Sequence, residues 1–368
     1  MPRLSLFALL VCSVRHAWTL MLGVSLALCV CAGLQSSPQT AATAVTALLR
    51  SAGFTAAEIS TVERGLPVAR TLDSDRREIA VIGAVRIKAP RQRLAERFRT
   101  IDYLKGSPMI HGAGAFSTPP RPDDLLSVPF ETYDLDVRDC RPGDCRVRLS
   151  SDDINRFHRE VTWRSSSWAS QSAKVWRHLL SGYAADYFRN GLPALPVLAN
   201  RSEPLSVADE TTLLLRQFTF VSAVAPDLLA SAQTPIARAS DQRAHILFWS
   251  KEDFGVRPVL RIMHQAIHWP GEPPEHAGAP LVVSTTQVYA THYLDAAVGV
   301  IVAIDDRAGD PSAGFHMIMV NRARTRSLTG LLRLMIRSTV QGRSRDAMES
   351  VLRITKASLE MSKPLEAR

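Results

Sequence analysis

The sequence predicts an α+β fold, and three observations carry that prediction. Five apolar, strand-like runs follow one another from residue 245, joined by turns. Before them lies one strand–helix pair and a helical middle, and after them a single long helical pattern. Strands grouped apart from helices indicate an antiparallel sheet rather than βαβ alternation. Hydrophobic residues make up 46% and charged residues 21% of 368, a globular balance that leaves enough apolar side chains for a sizeable core.

Taken in order, the elements begin with an export signal. Residues 1–34 hold no Asp or Glu, and apolar runs over 4–14 and 17–34 flank Arg15 and His16. Val30, Cys31 and Ala32 supply short residues where a signal peptidase reads. This pattern predicts a signal peptide over 1–33, cleaved near Ala32, and places the chain in the periplasm or cell envelope. Left uncleaved, the second run is about long enough to serve as an N-terminal anchor. A helical extension spans 34–66, with helices over 40–50 and 55–64; Thr55 and Glu58 are spaced as a capping box. A single domain over 67–362 follows. Its first strand is "REIAVIGAVRIKAP", and Pro90 opens the helix "PRQRLAERFRTIDYL". Residues 106–150 are rich in Gly and Pro. A helical insertion over 151–235 contains helices over 151–161, 169–188 and 206–218, with a further turn or two over 223–232. The strands come next, and the last helix covers about 325–361.

Charge is concentrated at the ends. Residues 321–368 hold eleven Lys and Arg against four Asp and Glu, an excess of +7, and Arg3 and Arg15 add +2. The net charge is +9, so the body of the chain is neutral. Three of the five cysteines, Cys12, Cys29 and Cys31, fall in the signal. The other two, Cys140 and Cys145, bracket a Pro-Gly turn in "DCRPGDC" and predict a disulfide worth roughly 2 kcal/mol. A metal site there lacks two ligands.

The order of elements resembles the helix-grip fold of START-like and polyketide-cyclase-type proteins. "AVRIKAPRQRLAERFRTI" corresponds to the first strand and helix, and residues 245–360 to the later strands and closing helix. That resemblance implies a curved antiparallel sheet gripping the C-terminal helix, with a ligand cavity between them. The helical stretch 151–235 departs from the family pattern. "CRPGDC", "FWSKEDFG" and "ATHYLDA" also resemble a family of uncharacterised exported bacterial proteins.

One stretch, "TTQVYATHYLDA", mixes polar and aromatic groups. Period 2 places Thr285, Gln287, Tyr289, Thr291, Tyr293 and Asp295 on one strand face and His292 on the other. Such a mixture suits a ligand pocket, so Gln287, Tyr289, Tyr293 and Asp295, with His264 and His292, are the ligand-binding candidates. The competing expectation is a sheet surface covered by the helical insertion. His264 and His268 lie roughly 13 Å apart on a strand, too far for one ion. An acid–base pair of His292 with Asp295 would need both on one face. No Gly-x-Ser-x-Gly or His-Glu-x-x-His occurs, and "HGAGAFS" lacks the third glycine of a dinucleotide loop. No catalytic residue, metal or cofactor is therefore assigned. On a helical wheel Arg322, Arg326, Arg333 and Arg337 share a face opposite Leu328, Leu331, Leu332 and Met335. That face suits peripheral contact with an anionic membrane or plain solvation. Nucleic acid is excluded by export and by the lack of aromatic interleaving. The expected function is an exported protein that binds an apolar or amphipathic small molecule, or a lipid, in an internal cavity. The alternatives are a hydrolase or cyclase using that cavity, or an envelope interaction protein with no ligand.

Overall fold

Val-, Ile- and Ala-rich runs build an eight-stranded, wholly antiparallel sheet at the centre of the computed structural model. Its strands are β1 (Val68–Thr71), β2 (Glu78–Ile87), β3 (Ile110–Ala115), β6 (His245–Glu252), β7 (Val259–His268), β8 (Leu281–Ala290), β9 (Ala296–Asp305) and β10 (Phe315–Arg324). The order across the sheet is β1-β2-β10-β9-β8-β7-β6-β3. Strands β4 (Val197–Leu198) and β5 (Leu205–Ser206) form a separate hairpin. The structure describes residues 39–107, 109–219, 221, 234–241, 244–255, 257–268, 279–307, 310–328 and 333–361. The signal peptide expected over 1–33 and the turn expected over 223–232 lie outside them. Residues 37–368 cluster as one unit.

The central strands are buried on both faces, which explains why they read as continuous apolar runs. One face carries Ile82, Val282, Val300 and Ile318. It is covered by α1 (Gln39–Ser51), α2 (Ala56–Glu63), α5 (Ser151–Glu160), α6 (Trp168–Asn190) and α7 (Val207–Leu215). The other carries Val81, Val85, Ile301 and Met317 under α3 (Gln92–Phe98) and the C-terminal helix α8 (Arg333–Met361). The N-terminal helices thus share a core with the insertion: Val45, Leu49, Ile59 and Val62 join Phe157, Trp176 and Leu179.

Local chemistry sets the helix ends. The Thr55 hydroxyl accepts from the Glu58 N–H at 3.3 Å, and the Glu58 carboxylate accepts from the Thr55 N–H at 2.8 Å. Ser150 and Asp153 repeat the box at the start of α5. Where α8 crosses β2 the strand has Gly83. A Cβ there would lie 2.6 Å from Leu352 and 2.7 Å from Met348, so the glycine admits the helix. Cys140 and Cys145 are bonded, with Cα atoms 4.4 Å apart. Arg141 and Asp144 exchange two backbone hydrogen bonds of 2.9 Å across the turn, and Gly143 takes the φ of +91° that it requires.

Three expectations are corrected. Strand β8 ends at Ala290, five residues short of Asp295. Among the described residues the C-terminal helix runs over Arg333–Met361, and the region near residue 325 is instead the end of β10, which pairs on both sides over 315–324, and a 3-10 turn at Arg326–Leu328. Arg322 is accordingly on a strand, buried and bonded to Glu78. Arg326 sits in a short 3-10 turn and donates to the Glu203 carbonyl at 2.7 Å. Arg337, on α8, donates to the Asp75 carbonyl at 2.6 Å. These arginines therefore do not share one helical face; the Arg333 side chain and the Leu residues opposite it lie outside what the structure describes. Among the described residues no helix is long and apolar enough to cross a membrane.

Candidate functional site

A bulge decides what the stretch from Thr285 to Ala296 does. Ile262 pairs with Tyr289 and Met263 with Gln287, so Val288 is an extra residue on β8. Directly paired residues share a face, so Gln287 and Tyr289 point to opposite sides of the sheet. The single polar face inferred from period 2 is broken there. Tyr289 enters the core under the insertion, on the side away from α8. The C-terminal helix therefore does not close over it. Its hydroxyl donates to the Arg148 carbonyl, and its ring lies 5.2 Å from Tyr183 and 6.5 Å from Trp176.

Beyond Ala290 the chain turns. Tyr293 is half-buried with φ +56°, in the left-handed region, and its carbonyl accepts from Arg148 at 3.2 Å. Gln287 donates to the Leu294 carbonyl at 3.2 Å. Asp295 is fully buried and bonded to Arg148, with Arg77 at 3.2 Å. From there the charges run on: Arg77 meets Glu210 at 2.6 Å, Glu210 and Asp75 both bind Arg324, and Arg322 binds Glu78. Four carboxylates face four guanidiniums at this end of the sheet. His292 also finds a carboxylate, but not Asp295. Its Nε2 lies 2.7 Å from Asp134, supplied by the short helix α4 (Thr132–Leu135), and both are buried.

A cleft of about 340 Å³ opens at the opposite edge of the sheet, where β3 ends and β6 begins. Phe116, Leu247, Ile236 and Phe188 give it an apolar floor, and Arg99, Thr100, Asp102, Ser117, Thr118 and His245 give it a polar rim. The Phe116 N–H donates to the Leu247 carbonyl at 2.8 Å and ties the two strand ends together. Gln287, Tyr289, Tyr293, Asp295 and His292 line no part of it. His264 stands directly behind it. His245 pairs with Ala266 across the β6–β7 ladder, between His264 and His268. The third imidazole therefore fills the gap that separates those two along the strand. His245 Nδ1 lies 3.0 Å from His264 Nε2, with the rings 5.2 Å apart and 17° from parallel. On its far side His264 Nδ1 meets the Tyr187 hydroxyl of α6 at 2.9 Å. Burial holds the His264 imidazole down at about 3, with His245 and His268 adding to the effect. Burial lowers His245 and His268 as well. Among the described residues no group of three His, Cys, Asp or Glu is placed to hold a metal ion.

The glycines of "HGAGAFS" lie against the Trp249 ring, one strand over on β6. Gly114 pairs with Trp249, and a Cβ on Gly114 would lie 2.6 Å from the indole nitrogen. Trp249 is fixed by its N–H, which donates to the Asp124 carbonyl at 3.0 Å. Gly114→Ala is therefore expected to destabilise the protein by about 1–3 kcal/mol through overpacking. Urea unfolding measures this, and an unchanged midpoint would show that the indole moves freely.

His245, Tyr187, Phe116 and Asp134 were not among the residues singled out from sequence. The histidine at the head of "HILFWSK" was a usable signal, but its place between His264 and His268 depends on the β6–β7 register. No family model matches the chain, and no curated protein matches it in sequence.

Proposed function

We propose that this is an exported envelope protein that binds an amphipathic small molecule in the cleft beside His245. The observation that carries the reading is the cleft's composition: aromatic and aliphatic walls from Phe116, Phe188, Ile236 and Leu247 under a rim of single polar groups. Its volume falls at the lower end of the roughly 300–1,000 Å³ typical of ligand sites. Export rests on the acid-free apolar N-terminus, and the Cys140–Cys145 bond fits an oxidising compartment. The helix-grip likeness is supported by the antiparallel sheet with α8 laid on β1 and β2. The proposed ligand, however, sits at the sheet edge and not between sheet and helix. Arg322, Arg326 and Arg337 sit on three different elements and each bonds a protein group, so they present no common basic face and the partner proposed is the small molecule.

Titration with 8-anilinonaphthalene-1-sulfonate tests the reading. Saturable binding is expected, weakened roughly tenfold by Thr118→Trp, which fills the mouth at an exposed position. The thermal midpoint should stay put. Equal binding by the variant would place the dye elsewhere and refute the proposal.

A further inference from the structure

Counting donors along the chain Tyr187–His264–His245 fixes the tautomer of each ring. Tyr187 is 2% exposed, and among the described residues its hydroxyl touches one polar partner, His264 Nδ1. Burial raises this phenol above the ordinary tyrosine value, so it keeps its proton. A buried O–H without an acceptor is costly, so the hydroxyl donates to Nδ1. Nδ1 of His264 is then an acceptor, and a neutral imidazole must carry its hydrogen on Nε2. That Nε2–H donates to His245 Nδ1. His245, likewise neutral, must hold its own hydrogen on Nε2, the one nitrogen left for the cleft that it lines.

This direction has chemical consequences. An imidazole with a hydrogen already on its accessible nitrogen and its other nitrogen occupied is neither a general base nor a metal ligand. It is a fixed N–H donor. The charged groups at the rim are mixed in sign, and Arg99 is the cation available to a ligand. Arg99 is exposed, and no ion pair to it occurs among the described residues. Asp102, which also lines the cleft, is ion-paired with Lys105 at 2.5 Å. Among the described residues the exposed Asp241 is a further acid near His245.

We infer that the cleft selects an amphipathic anion, whose oxyanion accepts from His245 Nε2–H and Arg99 while its apolar part lies on Phe116, Phe188, Ile236 and Leu247. This rests on the cleft being the ligand site, and it gives His245 the part of a hydrogen-bond donor to the ligand rather than of a base.

Two measurements on the full chain test it. Long-range ¹H–¹⁵N correlation of the histidine rings at pH 7 should show both His245 and His264 as Nε2–H tautomers. An Nδ1–H tautomer or an imidazolium at His245 would overturn the inference. Calorimetry should show octanoate binding at least about tenfold tighter than 1-octanol. The difference should shrink in Arg99→Gln, an exposed position that leaves the fold intact. Equal affinity for the two would remove the anion preference and leave the cleft as a ligand site. Binding of neither would remove both proposals.

Discussion

Arg148→Ala is expected to destabilise the protein by about 3–5 kcal/mol, the cost of leaving a buried carboxylate without its partner. Arg148 bonds the Leu294 carbonyl, the Tyr293 carbonyl and the Asp295 carboxylate, and Asp295 has no exposed surface. Arg77 stays 3.2 Å from Asp295, but it is 30% exposed and shared with Glu210. It cannot replace three inward bonds. Replacing both partners with Leu should cost less than Arg148→Ala alone, since no uncompensated charge remains. Urea unfolding of the two variants decides. A single-variant loss under 1 kcal/mol, or a double variant as weak as the sum of its singles, would mean that water reaches Asp295.

Acid should unfold the histidine corner. His264 titrates at about 3 in the folded protein, against about 6.5 when unfolded. The folded value is the lower, so the unfolded chain takes up the proton first. Its contribution is fully present above about pH 6.5 and drains away as the pH falls towards 3. At about 1.4 kcal/mol per unit, roughly 2–3 kcal/mol is lost between pH 7 and pH 4.5 from this ring alone. His245 and His268 shift the same way and add to the loss. The groups around the ring offer little relief: Tyr187 from α6, Ser284 near His268, and Asp241 near His245. Thermal midpoints across this range should fall steeply for the native sequence and more gently for His264→Gln. Parallel curves would assign the acid sensitivity to other groups.

The sequence made the architecture readable because periodicity is local. The runs at 78–87 and 245–324 are apolar enough to be strands in any register, and their grouping announces an antiparallel sheet. The site was less readable because its geometry is non-local. Nothing in "TTQVYATHYLDA" marks Val288 as a bulge; the extra residue exists only relative to β7. Asp134 reaches His292 from a segment 158 positions away that reads as loop. The arginines looked like one helical face because 3.6-residue spacing was extended back through β10. The histidine chain needs the β6–β7 register and the approach of α6, both tertiary facts.

The place of β2 in the sheet has a consequence for how the polypeptide reaches its native state. Glu78 pairs with Arg324 and Ile87 with Phe315, so an early strand waits for the last one. A chain emerging from the ribosome, or threaded through a membrane pore, holds β2 for most of its length with its β10 edge unpaired and the ground that α8 covers open. Its entropic loop is long, closure is slow, and neighbouring copies are meanwhile exposed to each other's unpaired backbone. Holdases that shield nascent segments would therefore act most usefully on the region around residues 78–87.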